Sequence, residues 1–144
     1  YSEEANRPPL PFTPPRDGGV VLDLGCGGGR DTIFLAQQGV ELAVGIDISP
    51  VAIGYTSEWI RRATNGLSKD HVDRFRDRLE FFARDAAMLP APVMEIDMVW
   101  DNTVYCNLRY QHLGRLWELY RRVLSQNTWM LINCGNANAE WKMD

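Results

Sequence analysis

Residues 20–39 read VVLDLGCGGGRDTIFLAQQG, and the fold turns on this stretch. An apolar run from Val20 to Leu24 carries one carboxylate, Asp23, near its end. Gly25, Gly27, Gly28 and Gly29 then crowd a turn, and an amphipathic segment follows that is stopped by Gly39. This is the pattern of a strand, a tight turn and a helix. In that arrangement backbone N–H groups and a helix N-terminus come against a bound ligand.

Working outward, residues 41–46 (ELAVGI) read as a second strand. Ser49 and Pro50 supply an N-cap and a first-turn proline for a helix to about Ala63, ended by Asn65-Gly66. Residues 67–78 are highly charged and read as an exposed helix or loop before a third strand, Leu79 to Ala83. Pro90 and Pro92 bound a surface turn, and Ile96 to Trp100 reads as a fourth strand. Leu113, Leu116, Trp117, Tyr120, Val123 and Leu124 share one helical face, with Arg115, Glu118, Arg121 and Arg122 opposite. Thr128 to Asn133 reads as a fifth strand. Strands alternating with helices predict an α/β fold, a three-layer αβα Rossmann-like sandwich on a mainly parallel sheet. Ligands of such sheets bind beyond the carboxyl ends of the strands.

The 144 residues suit one domain, 45% hydrophobic and 24% charged, with a formal net charge of −4. An acidic balance argues against a general nucleic-acid binder. No apolar run is long enough to span a membrane, so no membrane association is expected. Cys26, Cys106 and Cys134 are odd in number and lack CxxC spacing. Neither a disulfide framework nor a metal site is expected, and a reducing, cytoplasmic location fits. Residues 1–19 hold five of the eight prolines and read as a tail, or as a lid over the site, ahead of a ligand-binding domain at 20–144.

The turn separates two cofactor classes. A dinucleotide fingerprint is GxGxxG, but the third residue after Gly27 is Arg30. The form here is D-x-G-x-G-x-G, from Asp23 to Gly29. It lacks the third glycine of a pyrophosphate cradle and places a carboxylate where an ammonium group would be favoured.

On these residues the chain resembles the class I S-adenosylmethionine-dependent methyltransferases, from about Val20 to Asn133. The family's first-strand motif matches Leu22 to Arg30. The resemblance implies cofactor binding by Asp23, Gly25, Cys26, Gly27, Gly29 and Arg30. It implies that Asp47, with Ile48 beside it in GIDIS, takes the ribose hydroxyls, since a carboxylate accepts two hydrogen bonds at once. Asp85-Ala86 would read the adenine. Asp101 would close the fourth strand beside the methionine tail, with the loop Asn102 to Leu108 bordering the acceptor pocket. Singly, Asp47 is equally a helix cap, Asp85 a turn residue and Asp101 a surface acid; their shared place at strand ends favours the site.

The run DNTVYCNL is similar to the thiopurine, thiol, halide and tellurite branch, which implies a small-molecule methyl acceptor. Asp101 and Tyr105 are the candidate catalytic residues, with Asn102 and the proline-rich segment shaping the acceptor site. His71 and His112 read as solvated. The family's sheet has seven strands, whereas this chain has no room for the sixth and seventh after Asn133. The expectation is a fragment, or a short form whose fifth strand is an open edge able to pair in a homodimer. The competing functions are a non-catalytic cofactor-binding or interaction module and, less favoured by Arg30, a nicotinamide oxidoreductase.

Overall fold

The computed structural model describes residues 18–90, 92, 94–102 and 104–133. Five strands, β1 (Val20–Leu24), β2 (Leu42–Asp47), β3 (Leu79–Ala83), β4 (Met98–Asn102) and β5 (Trp129–Asn133), form one sheet in the order β3-β2-β1-β4-β5. Every pairing is parallel. The helices are α1 (Arg30–Gln37), α2 (Pro50–Gly54), α3 (Thr56–Ala63), α4 (Lys69–Arg76), α5 (Val104–Asn107) and α6 (Tyr110–Val123), with a 3₁₀ turn at Ala86–Met88. The chain order reverses between β1 and β4, which is where parallel sheets open a crevice for ligands.

Strand alternation divides the interior into two layers. On one face Val21, Ala43, Met98 and Trp100 pack with Leu35, Ala36 and Val40 of α1 and its following turn. On the other, Leu22, Leu24, Ile46 and Val99 meet Leu116, Leu119, Tyr120 and Val123 of α6. Burying each of the larger aliphatic side chains contributes about 1.5–3 kcal/mol. The α/β sandwich expected from the sequence is present, with β3 and β5 as its edges.

Four local differences bear on the site. The helix expected from Pro50 to Ala63 is broken at Tyr55, because the Thr56 hydroxyl donates to the Ile53 carbonyl and the Glu58 amide reaches only to Tyr55. β4 runs two residues further than expected, so Asp101 lies within the strand. The stretch read as a loop after β4 folds into α5. Trp117, placed on the buried face of α6, is half exposed. No described helix is long and apolar enough to cross a membrane. The proline-rich segment falls outside the described residues, apart from Gly18 and Gly19.

Candidate functional site

Two clefts meet at Gly25, above the carboxyl ends of β1, β2 and β4. The smaller, about 270 Å³, is lined by Asp23, Gly25, Cys26, Arg30, Asp31 and Asn102. The larger, about 620 Å³, has apolar walls from Ile46, Ile48, Ala86, Val104, Leu108 and Leu116. Asp47 and Asp85 also line it, with Arg84, His112 and Arg115. One compartment is polar and tight, the other largely apolar and roomier.

The loop between β1 and α1 is held from below. Gly25, Gly27 and Gly29 all have positive φ, at 65°, 56° and 83°. The Gly29 amide donates to the Cys26 carbonyl, and the Cys26 amide donates to Ile46 on β2. Asp47 ties the loop to the second strand: Oδ2 accepts from the Gly27 amide at 2.9 Å and Oδ1 from the Ser49 amide at 2.8 Å. Each oxygen keeps a further lone pair for a hydroxyl group. Beneath the loop, Asp23 is 1% exposed, and its Oδ2 accepts from the Thr32 hydroxyl at 2.6 Å. Burial pushes the Asp23 carboxyl up to about 8, with Asp31 and Asp101 adding to the effect and the Thr32 bond opposing it.

At the far end, Asp85 Oδ1 caps the 3₁₀ turn by accepting from the Ala87 amide at 2.9 Å. Ala86, the first residue of that turn, carries an amide with no partner inside the turn. A carboxylate acceptor therefore sits beside an available N–H donor, a combination that suits a purine edge.

The candidate catalytic pair is placed differently. Asp101 is fully buried; Oδ1 accepts from the Val104 and Tyr105 amides at 2.8 and 3.1 Å, and Oδ2 accepts from the Tyr120 hydroxyl. It caps α5 from within the fold. The Tyr105 ring stands edge-on to Trp117 with centroids 6.2 Å apart, and neither Asp101 nor Tyr105 lines either cleft. The structure brings together Asp23, Gly25, Cys26 and Arg30 in one cleft and Asp47, Ile48, Asp85 and Ala86 in the other. His112, read as solvated, lines the larger cleft.

Asp31 was missed by sequence reasoning. Its Oδ2 accepts from Asn102 Nδ2 at 2.6 Å and Trp100 Nε1 at 3.2 Å, bridging α1 to β4. The cysteines are also corrected in part. Cys26 is a free thiol pushed up to about 12 by burial and by the charges of Asp23 and Asp47, whereas Cys106 is disulfide-bonded.

Comparisons with known proteins bear on the family and the fold. A 27-O-demethylrifamycin SV methyltransferase of Amycolatopsis mediterranei is 36% identical over 87 residues, 60% of this chain and 28% of that protein. A ribosomal protein L11 methyltransferase of Alteromonas mediterranea is 36% identical over 93 residues, 62% of this chain and 30% of its own length. The chain thus spans under a third of the curated relatives it matches. Among solved structures, PH0226 from Pyrococcus horikoshii superposes with a TM-score of 0.61 at 27% identity, covering 79% of this chain and 49% of that one. The [4+2]-cyclase SpnF superposes at 0.58 and 27% identity, over 76% and 36%. A family model described as a methyltransferase domain matches residues 21–127, and the chain belongs to that family.

Proposed function

We propose that this domain binds S-adenosylmethionine and transfers its methyl group to a small-molecule acceptor. The observation that carries the reading is the junction of the two clefts at Gly25. An amino-acid tail, zwitterionic and compact, suits the polar cleft; a nucleoside suits the larger one. Asp47 would take ribose hydroxyls, while Asp85 and the Ala86 amide would take the adenine edge. A dinucleotide fits less well, because the Asp31 carboxylate lines the cleft where its pyrophosphate would lie and like charges repel.

The bound cofactor supplies a methyl group already activated on sulfur, for in-line displacement by the acceptor. The chain's own residues therefore align and desolvate. The glycine loop and Asp47 hold the nucleoside in register with the tail. Asp101 and Tyr120 fix the start of α5, whose Val104 lines the larger cleft beside Gly25. In this role Asp101 positions the site from beneath, through the Val104 and Tyr105 amides.

A small acceptor, of the thiol or halide kind suggested by DNTVYCNL, is favoured by the net charge of −4, which offers little to a polyanion. The rifamycin enzyme among the relatives also takes a small molecule by name, although the L11 enzyme's name points to a protein. A fold does not by itself fix a reaction, as the cyclase neighbour illustrates. The test is transfer of labelled methyl from S-adenosylmethionine to a panel of thiols, halides and small acids, with tRNA and ribosomal protein as further arms. Label on a small acceptor supports the reading. Label only on a macromolecule overturns the acceptor class, and no transfer in any arm favours a binding module. Pairing of two copies through the β5 edge, where Trp129 is largely exposed, is a companion proposal checked by light scattering.

A further inference from the structure

Asp47, Asp85, Arg84 and Arg115 line the larger cleft together, yet among the described residues no ion pair joins them. The carboxylates are turned to backbone donors, Asp47 to the Gly27 and Ser49 amides and Asp85 to the Ala87 amide. The two guanidinium groups have no hydrogen-bond or ion-pair partner among the described residues. Arginines elsewhere on the helices are engaged. Arg121, on the same helix as Arg115, pairs with Glu118 at 3.2 Å, Arg122 donates to the Ala87 carbonyl at 2.8 Å, and Arg61 and Arg62 share Glu58.

The nucleoside reading uses the side of this cleft that follows β2 and β3. The remaining lining comes from α5 and α6: Val104, Leu108 and Leu116 are apolar, and His112 and Arg115 stand among them. His112 and Arg115 are three residues apart, so they share a helical face with Cβ atoms about 5–6 Å apart. Leu116, 4% exposed, roots that side of α6 in the core. A cleft of about 620 Å³ lies well within the range that encloses a drug-sized molecule, and a nucleoside is smaller than that. The α5–α6 side is therefore left for a second molecule. An apolar wall with a few charged groups is how such pockets set specificity.

We propose that this wall is the acceptor subsite and that it selects a small organic anion, an apolar body carrying one carboxylate. The body would lie on Val104, Leu108 and Leu116. Arg115 would take the carboxylate, for which its planar fork of donors is matched, with His112 one turn earlier on the same face. The carboxylate is a handle for recognition, not the methylated atom. This rests on the methyl-transfer reading above and narrows its acceptor class.

The experiment saturates the chain with S-adenosylhomocysteine and titrates in 4-mercaptobenzoate or 4-mercaptobenzamide, which differ in the carboxylate charge alone. Wild type should bind the acid about tenfold more tightly than the amide, as a charge-assisted contact implies. Arg115→Gln should abolish that preference and leave S-adenosylhomocysteine affinity unchanged. Arg121→Gln removes the same formal charge from the same helix and should keep the preference. Wild type that takes the acid no better than the amide overturns the proposal, as does a preference that survives in Arg115→Gln or is lost equally in Arg121→Gln. Failure of wild type to bind S-adenosylhomocysteine overturns the underlying cofactor reading as well; binding of it without preference for the acid overturns the anion subsite alone.

Discussion

Gly29 and Gly27 occupy the same loop, share the left-handed region of backbone space and differ in what surrounds them. A Cβ on Gly29 would stand 2.6 Å from Phe81 Cε1, 2.8 Å from Cζ and 3.1 Å from Thr56 Cγ2. A Cβ on Gly27 would have nothing within 4 Å. Left-handed backbone costs an alanine about 1–2 kcal/mol in either place. Overpacking adds about 1–3 kcal/mol at Gly29 alone, because the ring of Phe81 on β3 and the Thr56 methyl must both give way to the added Cβ. Reduced entropy of the unfolded chain returns about 0.4–1 kcal/mol to each variant. The expected net losses are therefore about 1–4.5 kcal/mol for Gly29→Ala and about 0–1.5 kcal/mol for Gly27→Ala. For a domain of this size, each kcal/mol corresponds to roughly 2–4 °C in Tm. Thermal unfolding followed by circular dichroism, with urea titration to confirm unchanged m-values, measures the difference. Equal losses in the two variants would refute the packing of the loop on Phe81.

Burial raises the Asp23 carboxyl to about 8 from an ordinary 3.8, so its contribution to stability is complete below about pH 4 and is lost as pH rises through 8. Asp23→Asn should flatten this fall, read as urea midpoints at pH 5 and pH 9; an unchanged pH profile would contradict the neutral, buried acid. Tyr120→Phe removes the hydroxyl that donates to buried Asp101, and loss of that partner should cost about 1–3 kcal/mol in chemical denaturation. A variant as stable as wild type would show that the α5 amides alone satisfy the carboxylate.

The sheet was legible because its central strands are buried on both faces, so VVLDL, LAVGI and DMVW read as short apolar runs bounded by turn residues. The position of Asp47 followed from the second of these runs, which it closes, whereas Asp85 lies two residues beyond β3, an edge strand only partly buried, and was singled out through the family resemblance. Asp101 was harder. The apolar pattern stops at Trp100, yet the strand continues to Asn102 because β5 supplies partners for Asp101 and Asn102. With the strand longer, the carboxylate turns inward to cap a helix that VYCN does not announce. Asp31 was invisible for a related reason: an acid in a first helical turn is accounted for by the helix dipole. Its second role appears only once the sheet order places Trp100 and Asn102 beside α1.

The central claim is a nucleoside site organised by Asp47, and calorimetric titration of S-adenosylhomocysteine tests it most directly. Wild type should bind one equivalent saturably, and Asp47→Ala should weaken binding about tenfold or more, as expected for loss of a charged acceptor of two hydroxyl groups. Asp47→Asn, which keeps one acceptor oxygen for the loop amides, should fall between the two while holding wild-type thermal stability more closely than the alanine variant. Absence of binding to wild type, or equal affinity in wild type and Asp47→Ala, would contradict the account.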